Sequence, residues 1–323
     1  MWFPGPFNQA MLVRVLYSSG KDAEAEAVLA EAEERFPDNA WPKTARAHLA
    51  AAAGDYARAH ALALRIDAPS EVPFALRTAA LFDAVQGRFT EAVSHLRELE
   101  AQLLERHLIG AAFEAGAAAA RLRMISGDTA GAMSDVEELI AAHSLDSLGS
   151  WGQPALLMAR FFGQANQPQR AAEFLAAYER ALPPALTRTN QWMLRQARAA
   201  IALAKHYPQR ALAELRPRHI IARGPQWFED PLIAVDSRAE LARAWEGAGQ
   251  LDSAVVVYER YVAARALFRA ELDAFELERA YRRLVVLHER RNNAARAGEY
   301  RRRLAELWRR AETLSRHWPG AAD

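Results

Sequence analysis

Gly20-Lys21-Asp22-Ala23-Glu24-Ala25, followed by Leu29, Ala32 and Pro37, returns in altered form along nearly the whole chain. It reads Gly54-Asp55-Tyr56-Ala57-Arg58-Ala59 at its second occurrence, Gly87-Arg88-Phe89-Thr90-Glu91-Ala92 at its third and Gly127-Asp128-Thr129-Ala130-Gly131-Ala132 at its fourth. The same alanine falls at Ala171, Ala211, Ala254 and Ala297, with Asn166, His206 and Asn292 in place of glycine in three of those four. Successive alanines lie 34, 33, 40, 39, 40, 43 and 43 residues apart. Self-similarity at such a period belongs to stacked helix pairs, none of which buries enough surface alone.

Each part of the motif has a physical task. The glycine ends one helix where the backbone must turn left-handed, which costs a residue without Cβ little. The alanine sits where the next helix crosses the first closely, so a larger side chain there would overpack. Leu12 and Leu16 before the turn, with Leu29 and Ala32 after it, are expected to seal the pair. Pro37 and Pro183 lie just past a second helix, where proline cannot continue it.

Composition agrees with a helical reading. Of 323 residues 51% are hydrophobic, so a sizeable core is expected, and the abundant Leu, Ala, Arg and Glu are good helix formers. The 41 basic residues nearly cancel the 40 acidic ones, which argues against a chain-wide polycation made for nucleic acid. Lysine stands only at Lys21, Lys43 and Lys205, so arginine carries the positive charge. The lack of cysteine excludes disulfides, thiolate nucleophiles and zinc ribbons. Met1-Trp2-Phe3-Pro4-Gly5-Pro6 is no signal peptide, and no run approaches the ~18 apolar residues of a membrane span. Ala111 to Ala120 is alanine-rich but short and broken by Glu114. A cytoplasmic location is expected, with no membrane contact.

The units resemble the tetratricopeptide repeat family. The first fits from Leu12 through Pro37; the seventh places Leu241, Ala242, Trp245, Gly249, Ala254, Tyr258 and Tyr261 at the family's small and large positions. Most units lack the family's first tryptophan, and Arg301 occupies a position usually apolar. The resemblance implies an all-α fold, a right-handed α-α superhelix of about eight helix pairs. It would form one solenoid over 1–323, with shorter-period repeats in 1–140 and longer-period repeats plus a C-terminal capping helix in 141–323. Leu145-Asp146-Ser147-Leu148, the segment Ala172 to Pro184 and the run Leu241 to Trp308 are also similar to the C-terminal repeat region of certain soil-bacterial signalling proteins. Those carry a Ser/Thr kinase or winged-helix DNA-binding domain ahead of the repeats, and neither is present here. This implies a sensory or scaffolding module whose partner could be an effector kinase or regulator.

In such a superhelix the first helix of each unit lines the inner trough. One position per unit, a helical turn before the turn glycine, is expected to be exposed there: Arg14, His48, Leu81, Arg121, Arg160, Ala200, Arg243 and Val286. Arg77 and Arg282 lie one turn earlier on the same faces. Arg14, His48, Arg77, Arg121, Arg160, Arg243 and Arg282 are therefore the candidate partner-binding residues, a strip that would attract an acidic protein segment or a C-terminal carboxylate. Chance decoration of a solvated face competes with that reading. Charge reversal at Arg121 and Arg160 is expected to weaken partner capture and leave helicity intact.

Other chemistry finds little footing. None of the nine histidines forms a zincin pair, and His48 and His60 are read as structural or solvated. Gly149-Ser150-Trp151-Gly152 misses the first glycine of a nucleophile elbow, and no phosphate-binding glycine loop is present. The expectation is therefore a non-enzymatic interaction scaffold, with no catalytic residue, cofactor or metal. The alternative is a nucleic-acid-binding solenoid using the arginine-rich C-terminal end around Arg282, Arg283, Arg290, Arg291, Arg301, Arg302 and Arg303. Its interleaved acids and lack of a stacking platform count against it. Leu277 to Asp323, with twelve arginines and six acids, is expected to be a solvent-facing end stopped by Pro319-Gly320. Trp2, Phe3 and Phe7 suit either a small cap or a contact with an upstream repeat. Trp227 and Phe228 suit a loop that either tucks onto its helices or anchors a partner.

Overall fold

The computed structural model describes residues 5–66, 72–143, 154–181, 191–215, 230–309 and 311. Trp2, Phe3, Trp227, Phe228, the 149–152 segment and Pro319-Gly320 lie outside the described residues. Within them the protein is all-α: sixteen helices and no strand. They are α1 (Pro6–Ser18), α2 (Asp22–Arg35), α3 (Ala40–Ala52), α4 (Tyr56–Ala63), α5 (Val72–Val85), α6 (Phe89–Glu105), α7 (Ile109–Ile125) and α8 (Thr129–Ala142). The second half adds α9 (Pro154–Gln164), α10 (Pro168–Ala181), α11 (Gln191–Ala204), α12 (Pro208–Leu215), α13 (Asp230–Gly247), α14 (Leu251–Val262), α15 (Ala270–Arg290) and α16 (Ala294–Leu307). No helix among the described residues is long and apolar enough to cross a membrane.

One turn recurs eight times. Gly20, Gly54, Gly87, Gly127, Asn166, His206, Gly249 and Asn292 all have positive φ. Each carries the two hydrogen bonds of a Schellman cap, as where Gly20 N donates to Tyr17 O and Lys21 N to Leu16 O. Asparagine and histidine hold the left-handed conformation where the sequence has no glycine, at a strain that asparagine bears more easily than most residues. A ninth such turn, at His107 between α6 and α7, has no glycine or asparagine to announce it.

The recurring alanine follows each of the eight turns into the next helix. Ala25, Ala59, Ala92, Ala132, Ala171, Ala211, Ala254 and Ala297 are all 0% exposed, which is the close crossing that their size anticipates. Leu29 and Ala32 are buried as expected, but Leu12 is 44% exposed; Ala10 and Val13 take the seam instead. Ala92→Leu should therefore force α6 off α5 and lower the unfolding free energy by about 1–3 kcal/mol, read from a urea titration. An unshifted midpoint would mean that the α5–α6 seam has slack.

Neighbouring helices pack in sequence, and α1 with α3, α3 with α5, α7 with α9, α9 with α11, α11 with α13 and α13 with α15 pack in a second series. The chain then closes on itself: α15 lies along α5 and touches α7. One apolar core runs through Ala47–Leu122 and Ala239–Ala311, so the two halves share it. Leu267 and Phe268, on the connection into α15, pack with Ala10 and Val13 of α1. Arg265 Nη2 reaches Asp22 Oδ1 at 2.5 Å and its guanidinium lies over the Tyr17 ring. Gly87 sits under the chain end: a Cβ there would stand 2.9 Å from Ala311 Cβ and 3.0 Å from the Trp308 ring. The C-terminal stretch is thus not wholly solvent-facing. Leu277, Ala280, Leu284 and Leu287 of α15 are core residues, and charge concentrates on α16, where Arg301, Arg302 and Arg303 are exposed.

Candidate functional site

The inner positions are occupied rather than open. Arg14, His48, Leu81 and Ala200 are buried, and Arg121, Arg160, Arg243 and Val286 are partly buried, so none is exposed as the repeat geometry alone predicts. For Arg121, Arg160 and Arg243 the cause is a pair of glutamates on α13 and α15. Glu276 of α15, 4% exposed, receives Arg121 Nη2 at Oε1 and Arg243 Nη1 at Oε2, each at 2.8 Å. Glu240 of α13, 1% exposed, receives Arg160 Nε at 3.0 Å and stands 3.6 Å from Arg243. Arg77, half-exposed, pairs with Glu271 of α15 at 3.0 Å. The strip does gather carboxylates, as its charge predicts, and the carboxylates are the chain's own.

Three further candidates complete the picture. Arg14 is buried on α1, and its field acts on Glu271. Burial pushes the Glu271 carboxyl up, but Arg77, His48 and Arg14 outweigh it and hold it below its ordinary value. His48 lies edge-on between Phe82 and Phe268, with ring centroids 5.1 and 4.6 Å away. Burial pushes its imidazole down to about 4, Glu271 opposing the shift and Arg77 adding to it. Arg282 is turned elsewhere: it pairs with Glu278 and lies over the Trp308 ring.

Cavities lie beside α15. One, of about 750 Å³, is lined by His48, Asp273 and Arg269 among others; another, of about 600 Å³, by Arg243, Arg279 and Arg282. The third, of about 530 Å³, has a different character. Its wall is Leu96, Leu99 and Leu103 on one face of α6, with Leu81 of α5, Phe161 of α9 and Phe275 of α15. Arg77, Arg106, Arg121 and Arg160 line it too, beside Glu114 and Glu271. Burial pushes the Glu114 carboxyl up, with Arg77 opposing. An apolar bowl with guanidinium groups at its edge suits a ligand that offers leucine-sized side chains together with carboxylates. The leucines of α6 fall at i, i+3 and i+7, a helical stripe legible in the sequence once α6 is known to face inward.

A second cluster escaped the sequence reading. His60 of α4, Asp83 of α5 and His95 of α6 come together, with Asp83 fully buried and both histidines about one-fifth exposed. His60 Nε2 stands 3.3 Å from Asp83 Oδ1, His95 Nδ1 stands 3.0 Å from Oδ2, and Arg88 also pairs with Oδ1. Burial pushes the Asp83 carboxyl up, but the two imidazoles and Arg88 hold it below its ordinary range.

Several arginines of the C-terminal end are paired as well. Arg283 holds Glu246, Arg291 holds Asp252, Arg301 holds Glu289 and Arg303 holds Glu299. No protein-family model matches this sequence, and no curated protein matches it.

Proposed function

We propose that this protein is a non-enzymatic interaction scaffold, its eight turn-and-alanine units being tetratricopeptide-like repeats of a right-handed superhelix. It takes an acidic, leucine-bearing peptide segment into the cavity between α5, α6, α7, α9 and α15. One observation carries this reading: arginines of α5, α7, α9 and α13 converge on Glu240, Glu271 and Glu276, so the inner face already holds acidic helix surface. A partner segment of the same chemistry would use the apolar lining of that cavity, where Leu108 is half-exposed and Leu96, Leu99 and Leu103 form the buried floor. The resemblance to the repeat regions of soil-bacterial signalling proteins supports a role in a regulatory system, with a kinase or regulator as the proposed effector partner. The ion pairs of Arg283, Arg291, Arg301 and Arg303 weigh against the nucleic-acid alternative, since these guanidinium groups would have to leave a carboxylate to reach a phosphate.

Selection of a random peptide library on the full chain tests the proposal. Enriched sequences should combine Leu or Phe with Asp or Glu, and Leu108→Arg, at a half-exposed position of the lining, should weaken their binding about tenfold or more with the far-ultraviolet circular dichroism unchanged. Enrichment of basic peptides, or binding indifferent to Leu108→Arg, would overturn it.

A further inference from the structure

We propose that His60, Asp83 and His95 form a site for a divalent transition-metal ion of the zinc type, bridging α4, α5 and α6. Two imidazoles and one carboxylate are a ligand set that zinc accepts, with a fourth position left to water. The distances suit it. Donor atoms around a tetrahedral zinc, each about 2.0–2.1 Å from the metal, stand about 3.3 Å apart. Here Asp83 has its two oxygens 3.3 Å from His60 Nε2 and 3.0 Å from His95 Nδ1, and all three ligand atoms lie within 4.8 Å of one another.

The placement is built rather than incidental. Asp83 is 0% exposed and fixed on α5, where its backbone carbonyl also accepts from Arg88 N in the turn after the helix. The histidines approach it from the two helices on either side and keep about one-fifth of their surface in water, which gives an ion a way in. His60 Nε2 is buried without a hydrogen bond of good geometry, the condition of a donor atom awaiting a ligand. Glu98, one turn beyond His95 on α6, adds negative potential. The single opposing feature is Arg88, whose guanidinium holds Asp83 Oδ1 and so competes with any cation for the same oxygen. Its side chain is partly exposed and can swing outward when an ion arrives. A bound ion would tie the second helix pair to the third across the α4–α5 connection.

The competition with Arg88 gives the proposal a distinctive test. Zinc is titrated calorimetrically into the metal-stripped full chain, with cobalt absorption as a second readout of tetrahedral coordination. One ion per chain is expected, with affinity falling at least about tenfold in His60→Asn and in His95→Asn. Arg88→Ala should raise it about tenfold by freeing the carboxylate oxygen. Circular dichroism confirms that each variant is folded; should one unfold, the Arg88→Ala gain alone decides. Zinc uptake that survives both histidine substitutions belongs to other histidines and overturns the proposal. So does no uptake at all, or weaker binding in Arg88→Ala. The peptide-binding reading stands or falls separately, since Leu108 lines a cavity that none of His60, Asp83 and His95 lines.

Discussion

Glu276→Ala should lower the unfolding free energy by about 3–5 kcal/mol, measured by urea or guanidinium titration. Glu276 is 4% exposed and each of its oxygens holds a different guanidinium, Arg121 from α7 and Arg243 from α13. Taking the carboxylate away leaves two partly buried cations facing a void, with Arg243 falling back on Glu240 at 3.6 Å and Arg121 on the Phe275 ring at 4.2 Å. The cost comes from that uncompensated charge, not from the strength of the pairs. A triple variant, Glu276→Leu with Arg121→Met and Arg243→Leu, should therefore recover most of the loss. A loss below about 1 kcal/mol for Glu276→Ala would mean that water screens the network as it screens a surface pair. The same geometry corrects the expectation attached to charge reversal at Arg121 and Arg160. A glutamate at either position would face Glu276 or Glu240 across a few ångströms, so the substitution tests stability before it tests partner capture.

Local features were the most legible. The turn at Gly20 and the crossing at Ala25 depend on residues within one helical pair, and the same is true of their seven successors. Steric rules act at that range, so sequence spacing alone located eight turns and eight buried alanines. Leu12 shows the limit even there, because periodicity gives the apolar stripe only to within a residue. The His107 turn was hidden because it falls between α6 and α7, outside the 33–43-residue spacing of the recurring alanines, and has no glycine or asparagine to mark it. The closure of α15 onto α5 was not legible at all. Arg77 and Glu271 meet across most of the chain, and nothing in either segment names the other. The candidate strip was accordingly wrong in its exposure, since its arginines meet carboxylates of the chain's own helices. His60, Asp83 and His95 were missed for a related reason: they sit on three helices, and a search for short ligand spacings does not join them.

His48 makes the closure of α15 testable through pH. Its imidazole, 3% exposed between Phe82 and Phe268, has its pKa pushed down to about 4 by burial. The charged groups bearing on it are Glu271 of α15 and Arg77 of α5, which act in opposite senses. The folded-state value lies below the unfolded value of 6.5, so the unfolded chain takes up this proton first as pH falls. Stability is therefore whole above pH 6.5 and is lost through the window between 6.5 and about 4, by about 1.4 kcal/mol per unit and about 3 kcal/mol in all. His48→Leu removes the titrating group and keeps an apolar filling. Urea titrations at intervals from pH 7 to pH 4 should show the wild type falling more steeply than the variant by that amount, whatever the carboxylates contribute to both. Parallel profiles would show that His48 meets water in the folded state, and hence that Phe268 and the start of α15 do not cover it. Because Phe268 belongs to the connection that carries the chain back to α1, the slope reports whether the trough is filled by the chain's own helix in solution.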